Sequence, residues 1–424
     1  MILLQFFVSG MLSGVTCEDL ILVQTVFRHG DRAPIGGSTS PESRAYYFRG
    51  KEHLTNKGLD QARELGLSLK RRYADIGLLD ARYIPSEVMF RSSPSERCLM
   101  TASAVASAIF NETETGQPTF VPVFTAPRDK EFVCLPRIHC PLVLREMMQK
   151  LRVEGATWNL GDLLAELFEQ ESKRMNYTHV VGDRLKIFEP LFLEYESGLA
   201  VPQWFNDDAR KEADHLLDLT VEFMSGVGQF HSRKWIHTRS GKLLATILKN
   251  MQKTTKQEPT GKKFLAYSTH DVTISALLES MGILKDALAP HALAPQGRPA
   301  FTATVVFELW RNDTQNYVKV FYRRGPGTDE YNELTHSVNG CKNTQYCLLE
   351  LFSKSVEKFS NDHPELLCPS HHENSSCKCE IEPTTIIFMV TTGLFALLFF
   401  VALFFLMHRR NHVNPNTDAL ESSK

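Results

Sequence analysis

Two periodicities alternate along this chain of 424 residues. Leu20 to Phe27 is a short apolar run rich in β-formers, and Val88-Met89-Phe90 closes a second such run. Leu54 to Leu79 instead has helical spacing, with Leu59, Ala62, Leu65, Leu69 and Tyr73 on one face. Ser95 to Phe110 also reads as a helix, opened by Ser93-Pro94 in a cap-like arrangement. From about 141 to 257 the helical pattern dominates; Asp162–Met175, Ala209–Met224 and Gly241–Gln252 are its clearest pieces. Strand character returns at Phe264–Ser268, and Val272–Met281 follows as a helix. Phe301–Arg311 and Tyr317–Arg323 then alternate as an antiparallel hairpin. Strands and helices on each side of a helical block predict an α/β sheet domain with an inserted, mostly α-helical domain. No internal repeat or low-complexity stretch interrupts this order.

Both ends depart from the pattern. Residues 2–15 are apolar or small and uncharged, which predicts a secretory signal peptide over 1–16. Residues 384–407 carry no charge over 24 positions. As a helix they would extend about 36 Å, enough to cross about 30 Å of hydrocarbon. His408-Arg409-Arg410 follow at once, which places the 408–424 tail in the cytosol. The predicted layout is type I: signal, lumenal or extracellular domain over 17–383, one transmembrane helix, short cytoplasmic tail. Asn111, Asn176, Asn312 and Asn374 each begin an N-x-S/T glycosylation acceptor, and all four precede the span.

The formal net charge of -2 argues against a nucleic-acid partner, which usually requires a basic excess. Nine cysteines suit an oxidising compartment. Excluding Cys17 near the cleavage point, the remaining eight allow 105 pairings. Cys377-x-Cys379 near His371-His372 could suggest a metal site, but a polar stalk with a disulfide or free thiols fits the segment better.

Three segments carry candidate chemistry through their positions. Arg28-His29-Gly30 follows the first strand, Arg91-Ser92-Ser93 follows the second, and His270-Asp271 follows the strand ending at Ser268. Ligands of open α/β sheets bind at the carboxyl ends of strands, so the three converge there. Arg28, Arg32 and Arg91 offer planar forks suited to phosphate oxygens, and would repel one another unless an anion filled the pocket. His29 can act as a nucleophile through an unprotonated nitrogen, which surrounding cations favour. Asp271 is a candidate proton donor to a leaving oxygen, and His270 a stabiliser of the transferring group. Asp31 reads as a loop residue pairing with a neighbouring arginine.

Arg28 to Pro34 resembles the RHGxRxP motif of the histidine acid phosphatases, in the superfamily that also holds the phosphoglycerate mutases. FRSSPSERCLMTA around Arg91 and Ser268-Thr269-His270-Asp271 resemble that family's other two active-site segments. The resemblance spans roughly residues 19–370 and is closest to the lysosomal and prostatic type. It implies a phosphoglycerate-mutase-like sheet with helices on both faces, and hydrolysis of phosphate monoesters through a phosphohistidine on His29. Arg28, Arg32, Arg91 and His270 would hold the phosphate and Asp271 would be the acid, with no metal or other cofactor. It further implies disulfides Cys341–Cys347 and Cys140–Cys368, and a homodimer. The family's disulfide within the helical region has no partners here, since no cysteine lies between 141 and 340. The tail lacks tyrosine and hence a tyrosine-based sorting signal. A narrower phosphatase for inositol or lipid phosphates is the alternative within enzymes; a catalytically silent adhesion or signalling ectodomain, and a phosphomutase, are the others.

Overall fold

The computed structural model describes residues 18–110, 119–135, 140–155, 159–256, 261–289, 297–313, 315–344, 346–367, 395 and 397–408. The chain divides into two compact units, between Pro369 and Ser370.

In the first unit the apolar runs form the centre of one mixed sheet. Its strands are β1 (Asp19–Arg28), β2 (Val88–Ser92), β3 (Val123–Phe124), β4 (Phe264–Thr269), β5 (Thr304–Arg311), β6 (Asn316–Arg323), β7 (Asn332–Glu333) and β8 (Cys347–Leu348). The order is β3-β2-β4-β1-β5-β6-β7, with β8 also pairing β6. β1, β2, β3 and β4 run parallel; β5 onward is antiparallel. Parallel strands need crossovers and are covered on both faces, which explains why the β1 sequence is apolar without strict alternation.

Alternate residues of β1 face different layers. Val23 and Phe27 join Val88, Phe90, Phe264 and Ala266 under α2 (Asn56–Leu69) and α3 (Glu96–Ile109). Leu22 and Val26 join Leu265, Tyr267, Val305 and Phe307 on the opposite face. The helical block supplies α4 (Pro141–Leu151), α5 (Leu160–Arg174), α6 (Phe188–Glu196), α7 (Asp207–Ser225) and α8 (Arg233–Thr255). α4 to α7 share a separate core with Met147, Leu163, Phe188, Leu216 and Phe223. α8 belongs to both layers: Trp235 packs in that core, whereas Ile236, Leu243, Ile247 and Met251 cover the sheet beside α9 (Asp271–Met281). The separate core of the insertion therefore ends inside α8, near Trp235, and the rest of α8 to Thr255 is sheet cover.

Two local departures have physical causes. The helix beginning near Leu54 keeps α geometry only to Leu69, then widens into a π-turn over Lys70–Ala74. There Tyr73 stays buried and donates its hydroxyl to Glu308 at 2.8 Å. At α3 the cap position is Ser95 without a side-chain cap bond; its hydroxyl accepts from Ser93 Oγ at 3.3 Å, and Ser93 Oγ also lies 2.9 Å from His270 Nε2.

Cys341–Cys347 is a disulfide. Cys140 is disulfide-bonded as well, while Cys368, its implied partner, lies outside the described residues, as do Cys17, Cys377 and Cys379. Cys98 and Cys134 are buried free thiols. Asn176 is exposed at the end of α5 and Asn312 lies in the β5–β6 turn; Asn111 and Asn374 lie outside the described residues. In the second unit residues 397–408 are helical, and residues 384–394 and 396 are not described. Among the described residues no helix is long and apolar enough to cross a membrane. The signal-peptide segment also lies outside them.

Candidate active site

The register brings the chemical segments together. Arg28 pairs with Thr269 across β1 and β4, and Ser92 pairs with Ser268 across β2 and β4. The residues that follow leave three adjacent parallel strands at the same end. A cavity of about 670 Å³ opens there, and Arg28, His29, Arg32, Arg97, His270 and Asp271 all contribute to its lining.

His29 is held from several sides. Its N–H donates to the Thr269 carbonyl at 3.1 Å, and its carbonyl accepts from Thr302 N at 3.3 Å. Its Nδ1 lies 2.8 Å from the Gly30 carbonyl, which can only accept, so the proton sits on Nδ1 and the lone pair on Nε2. Gly30 is required by close approach. A Cβ there would meet the Gly58 carbonyl oxygen at 2.4 Å, and Gly30 N donates to Thr101 Oγ1 at 3.1 Å. The α2 start is thereby locked under the motif. Thr55 caps α2 through Gly58 N and donates its hydroxyl to Asp31 Oδ2 at 2.5 Å. Asp31 is thus tied to a helix cap, not to an arginine, and burial raises its pKa.

Burial and neighbouring charge set the protonation states. Burial first, then Arg97 and Arg28, hold the His29 imidazole well below its ordinary 6.5. The same causes, led by burial and Arg97, push His270 down to about 3. Both rings are therefore neutral in mild acid, with centroids 5.6 Å apart. Cys98 Sγ lies 3.7 Å from His270 Nε2; burial pushes that thiol up to about 12, so it remains protonated.

Arg28 is enclosed. Nη1 donates to the Pro299 carbonyl at 2.7 Å, Nη2 pairs with Asp271 Oδ2 at 2.7 Å, and Phe301 lies under the guanidinium at 4.3 Å. Burial pushes Arg28 down to about 10, so it stays charged. Burial alone would raise the Asp271 carboxyl, but Arg28, His270 and the Val272 N–H outweigh it and hold the group below its ordinary 3.8. Arg28 Nε and Arg97 Nε are buried without a hydrogen-bond partner among the described residues, two donors with capacity for an anion.

Arg91 does not line the cavity. Its Nη2 pairs with the buried Glu131 at 2.8 Å, and Glu131 also accepts from the N–H groups of Val133 and Cys134. Strand alternation is the cause: Arg91 shares the parity of Met89, which packs on the α8–α9 face. Arg97, in the first turn of α3, takes the place in the cavity expected of Arg91. The signal was available, since a residue within a strand points across the sheet whereas one just beyond its end faces the crevice.

Sequence reasoning also missed the carboxylates and the ring around this cluster. Arg32 pairs with Glu189 of α6 at 2.9 Å, and Arg97 with Glu52 at 3.1 Å. Arg298 pairs with Asp214 and Asp218 of α7. The expectation that clustered arginines need an anion is met within the chain by resident carboxylates. Phe301 lies 5.9 Å from the His29 ring and is followed by Thr302, a buried β-branched residue at φ +54°. Strain of that kind persists only where the surroundings over-determine it. The cavity's outer wall is apolar, with Phe168, Leu185, Phe192 and Leu217 from the insertion. No group of three or more metal-ligating side chains occurs among the described residues.

A family model described as "Histidine phosphatase superfamily (branch 2)" matches residues 19–323. The chain is 32% identical over 368 residues to "Putative acid phosphatase 1" of Caenorhabditis elegans, covering 82% of each chain. It is 27% identical over 355 residues to the human "Prostatic acid phosphatase", covering 81% of this chain and 86% of that one. Among solved structures it is similar to Hafnia alvei phytase in complex with myo-inositol hexakis sulphate, with a TM-score of 0.54 at 16% identity over 82% of this chain and 98% of that one. That likeness concerns the fold alone.

Proposed function

Because this chain belongs to branch 2 of the histidine phosphatase superfamily, we propose that it is an acid phosphatase that hydrolyses phosphate monoesters through a phosphohistidine on His29. The observation that carries the reading is the Nδ1 bond to Gly30, which leaves a neutral Nε2 lone pair in a cavity lined by Arg28, Arg32 and Arg97 among other cations. Arg28, Arg32, Arg97 and His270 hold the phosphate oxygens. Nε2 attacks phosphorus while the P–O bond to the alcohol breaks, and protonated Asp271 delivers its proton to the departing oxygen. Water then attacks phosphorus, the P–N bond breaks, and Asp271 takes the water's proton as inorganic phosphate leaves.

Asp271 must carry a proton in the first step, although Arg28 holds it ionised in the free site. A phosphate dianion that shares Arg28 weakens that hold and adds negative charge beside the carboxyl. Both effects raise its pKa. Substrate binding thus prepares the acid.

The proposed setting is a lumenal or extracellular domain on a type I anchor. The uncharged run 384–407, the following Arg409-Arg410 and the four acceptors ahead of it support this. Trapping with labelled substrate should give a label that survives alkali and is lost in acid. Absence of label, or equal label in His29→Ala, sinks the reading. Carbonate extraction with protease protection tests the anchor, and release of the protein by carbonate would exclude it.

A further inference from the structure

We infer that Glu189 is a specificity-determining residue that restricts the site to esters carrying a single phosphate; this rests on the phosphatase reading above. Glu189 lies in the first turn of α6 and lines the cavity. Its carboxylate is fixed by a side chain and a backbone N–H of the loop after β1. Oε1 accepts from Arg32 Nη1 at 2.9 Å, and the two oxygens accept from Ile35 N at 3.2 and 3.1 Å. Pro190 packs beside Gly36, where an added Cβ would lie 3.0 Å from its ring. The carboxylate is therefore a built part of the wall, with its side chain only 16% exposed.

Its position divides the work of Arg32. The bonds to Glu189 and to the Ala33 carbonyl both use Nη1, so Nη2 and Nε stay available to a phosphate at His29. The Nη1 edge, where a second phosphate of a polyanion would dock, meets a fixed negative charge instead. The same neutralisation recurs farther out, where Arg298 is held by Asp214 and Asp218, and Arg210 by Glu196. The cavity lining contains eight Lys and Arg and six Asp and Glu, a surplus of two positive charges. With Asp271 protonated for the reaction the surplus is three, enough for one phosphate dianion but short of the four needed for two. Mono-esters with an uncharged body, which the apolar insertion wall can cover, fit this balance; inositol polyphosphates do not.

The test is calorimetric binding of two probes, myo-inositol hexakis sulfate and inorganic sulfate, to the detergent-solubilised full chain. Wild type should bind the hexasulfate no more than a few-fold tighter than sulfate. Glu189→Gln should tighten hexasulfate by about tenfold or more while sulfate changes by less than threefold, and Glu189→Asp, which keeps the charge, should retain the wild-type ratio. An unchanged ratio in Glu189→Gln, or an Asp variant behaving like Gln, overturns the inference. Should Glu189→Gln not fold, wild-type kinetics decide: equal or better kcat/KM for an aryl bisphosphate than for its monophosphate overturns it. Binding needs no turnover, so failure to trap a phosphohistidine would sink the phosphatase reading and leave this ratio standing.

Discussion

Replacing Arg91 and Arg97 one at a time separates structural from substrate-binding cations, because the two lie six residues apart and do different things. Arg97→Ala removes a cavity guanidinium whose pair, Glu52, has a side chain 41% exposed. A freed Glu52 can be solvated, so stability should change little. The lost contact to phosphate is a charge-assisted one, worth about 1.5–3 kcal/mol, or roughly a ten- to hundredfold fall in kcat/KM. Arg91→Ala instead strands Glu131, whose side chain is 0% exposed, with the Val133 and Cys134 N–H groups as its remaining donors among the described residues. Breaking a buried pair costs about 3–5 kcal/mol. Arg91 itself is 30% exposed and water can reach part of the site, so the low end applies. At roughly 2–4 °C per kcal/mol for a large domain, Tm should fall by about 6–12 °C. Steady-state kinetics on an aryl phosphate at a temperature where both variants are folded, with calorimetric Tm, provide the assay. The assignment is refuted if Arg91→Ala loses activity tenfold or more at unchanged Tm while Arg97→Ala keeps wild-type kcat/KM.

Three further outcomes follow from the same geometry. Asp271→Asn should lower kcat about 10²–10⁴-fold on alkyl phosphates and far less on nitrophenyl phosphate, whose phenolate leaves without a proton; equal losses on both would remove Asp271 from the acid role. Gly30→Ala, whose Cβ would press on the Gly58 backbone, should unfold the protein or lower Tm by many degrees, and an unaltered Tm would contradict the packing described. His29 and His270 have folded pKa values below the ordinary 6.5, so below that pH the unfolded chain binds more protons and stability falls with pH, for His270 down to about 3. For His270 the loss should reach roughly 2–3 kcal/mol near pH 4.5, and His29 adds to it in the same direction. His270→Gln should therefore flatten the Tm–pH curve between pH 6.5 and 4.5, and an identical slope in the variant would rule out this source.

The sheet was largely legible because its signals are local. Apolar runs mark β1, β2 and β4, and helical spacing marks α2, α3, α5, α7 and α9 within a few residues. Convergence of His29 and His270-Asp271 followed from one topological rule, that ligands meet the carboxyl ends of parallel strands. The same rule misdirected the reading of Arg91, where adjacency to a strand end was weighed and strand parity was not. β2 continues through Ser92, so Arg91 is still a strand residue facing across the sheet, and the turn into α3 carries Arg97 to the crevice.

What remained hidden depends on contacts between residues far apart in the chain. Glu189 lies 157 positions from Arg32 and Asp271 lies 243 from Arg28, and no periodicity links either pair. Clustered arginines had suggested a pocket that waits for an anion. Folding instead supplies one carboxylate or more to each of Arg28, Arg32, Arg97 and Arg298, and the insertion contributes those on Arg32 and Arg298. The inserted helices therefore act on the site electrostatically as well as by shape. Partnered arginines cost less to bury than lone ones, and each partner subtracts from the field that draws substrate. A site built this way gives up affinity for highly charged ligands and releases phosphate more readily. That trade is useful to an enzyme whose product is itself a good ligand for three arginines.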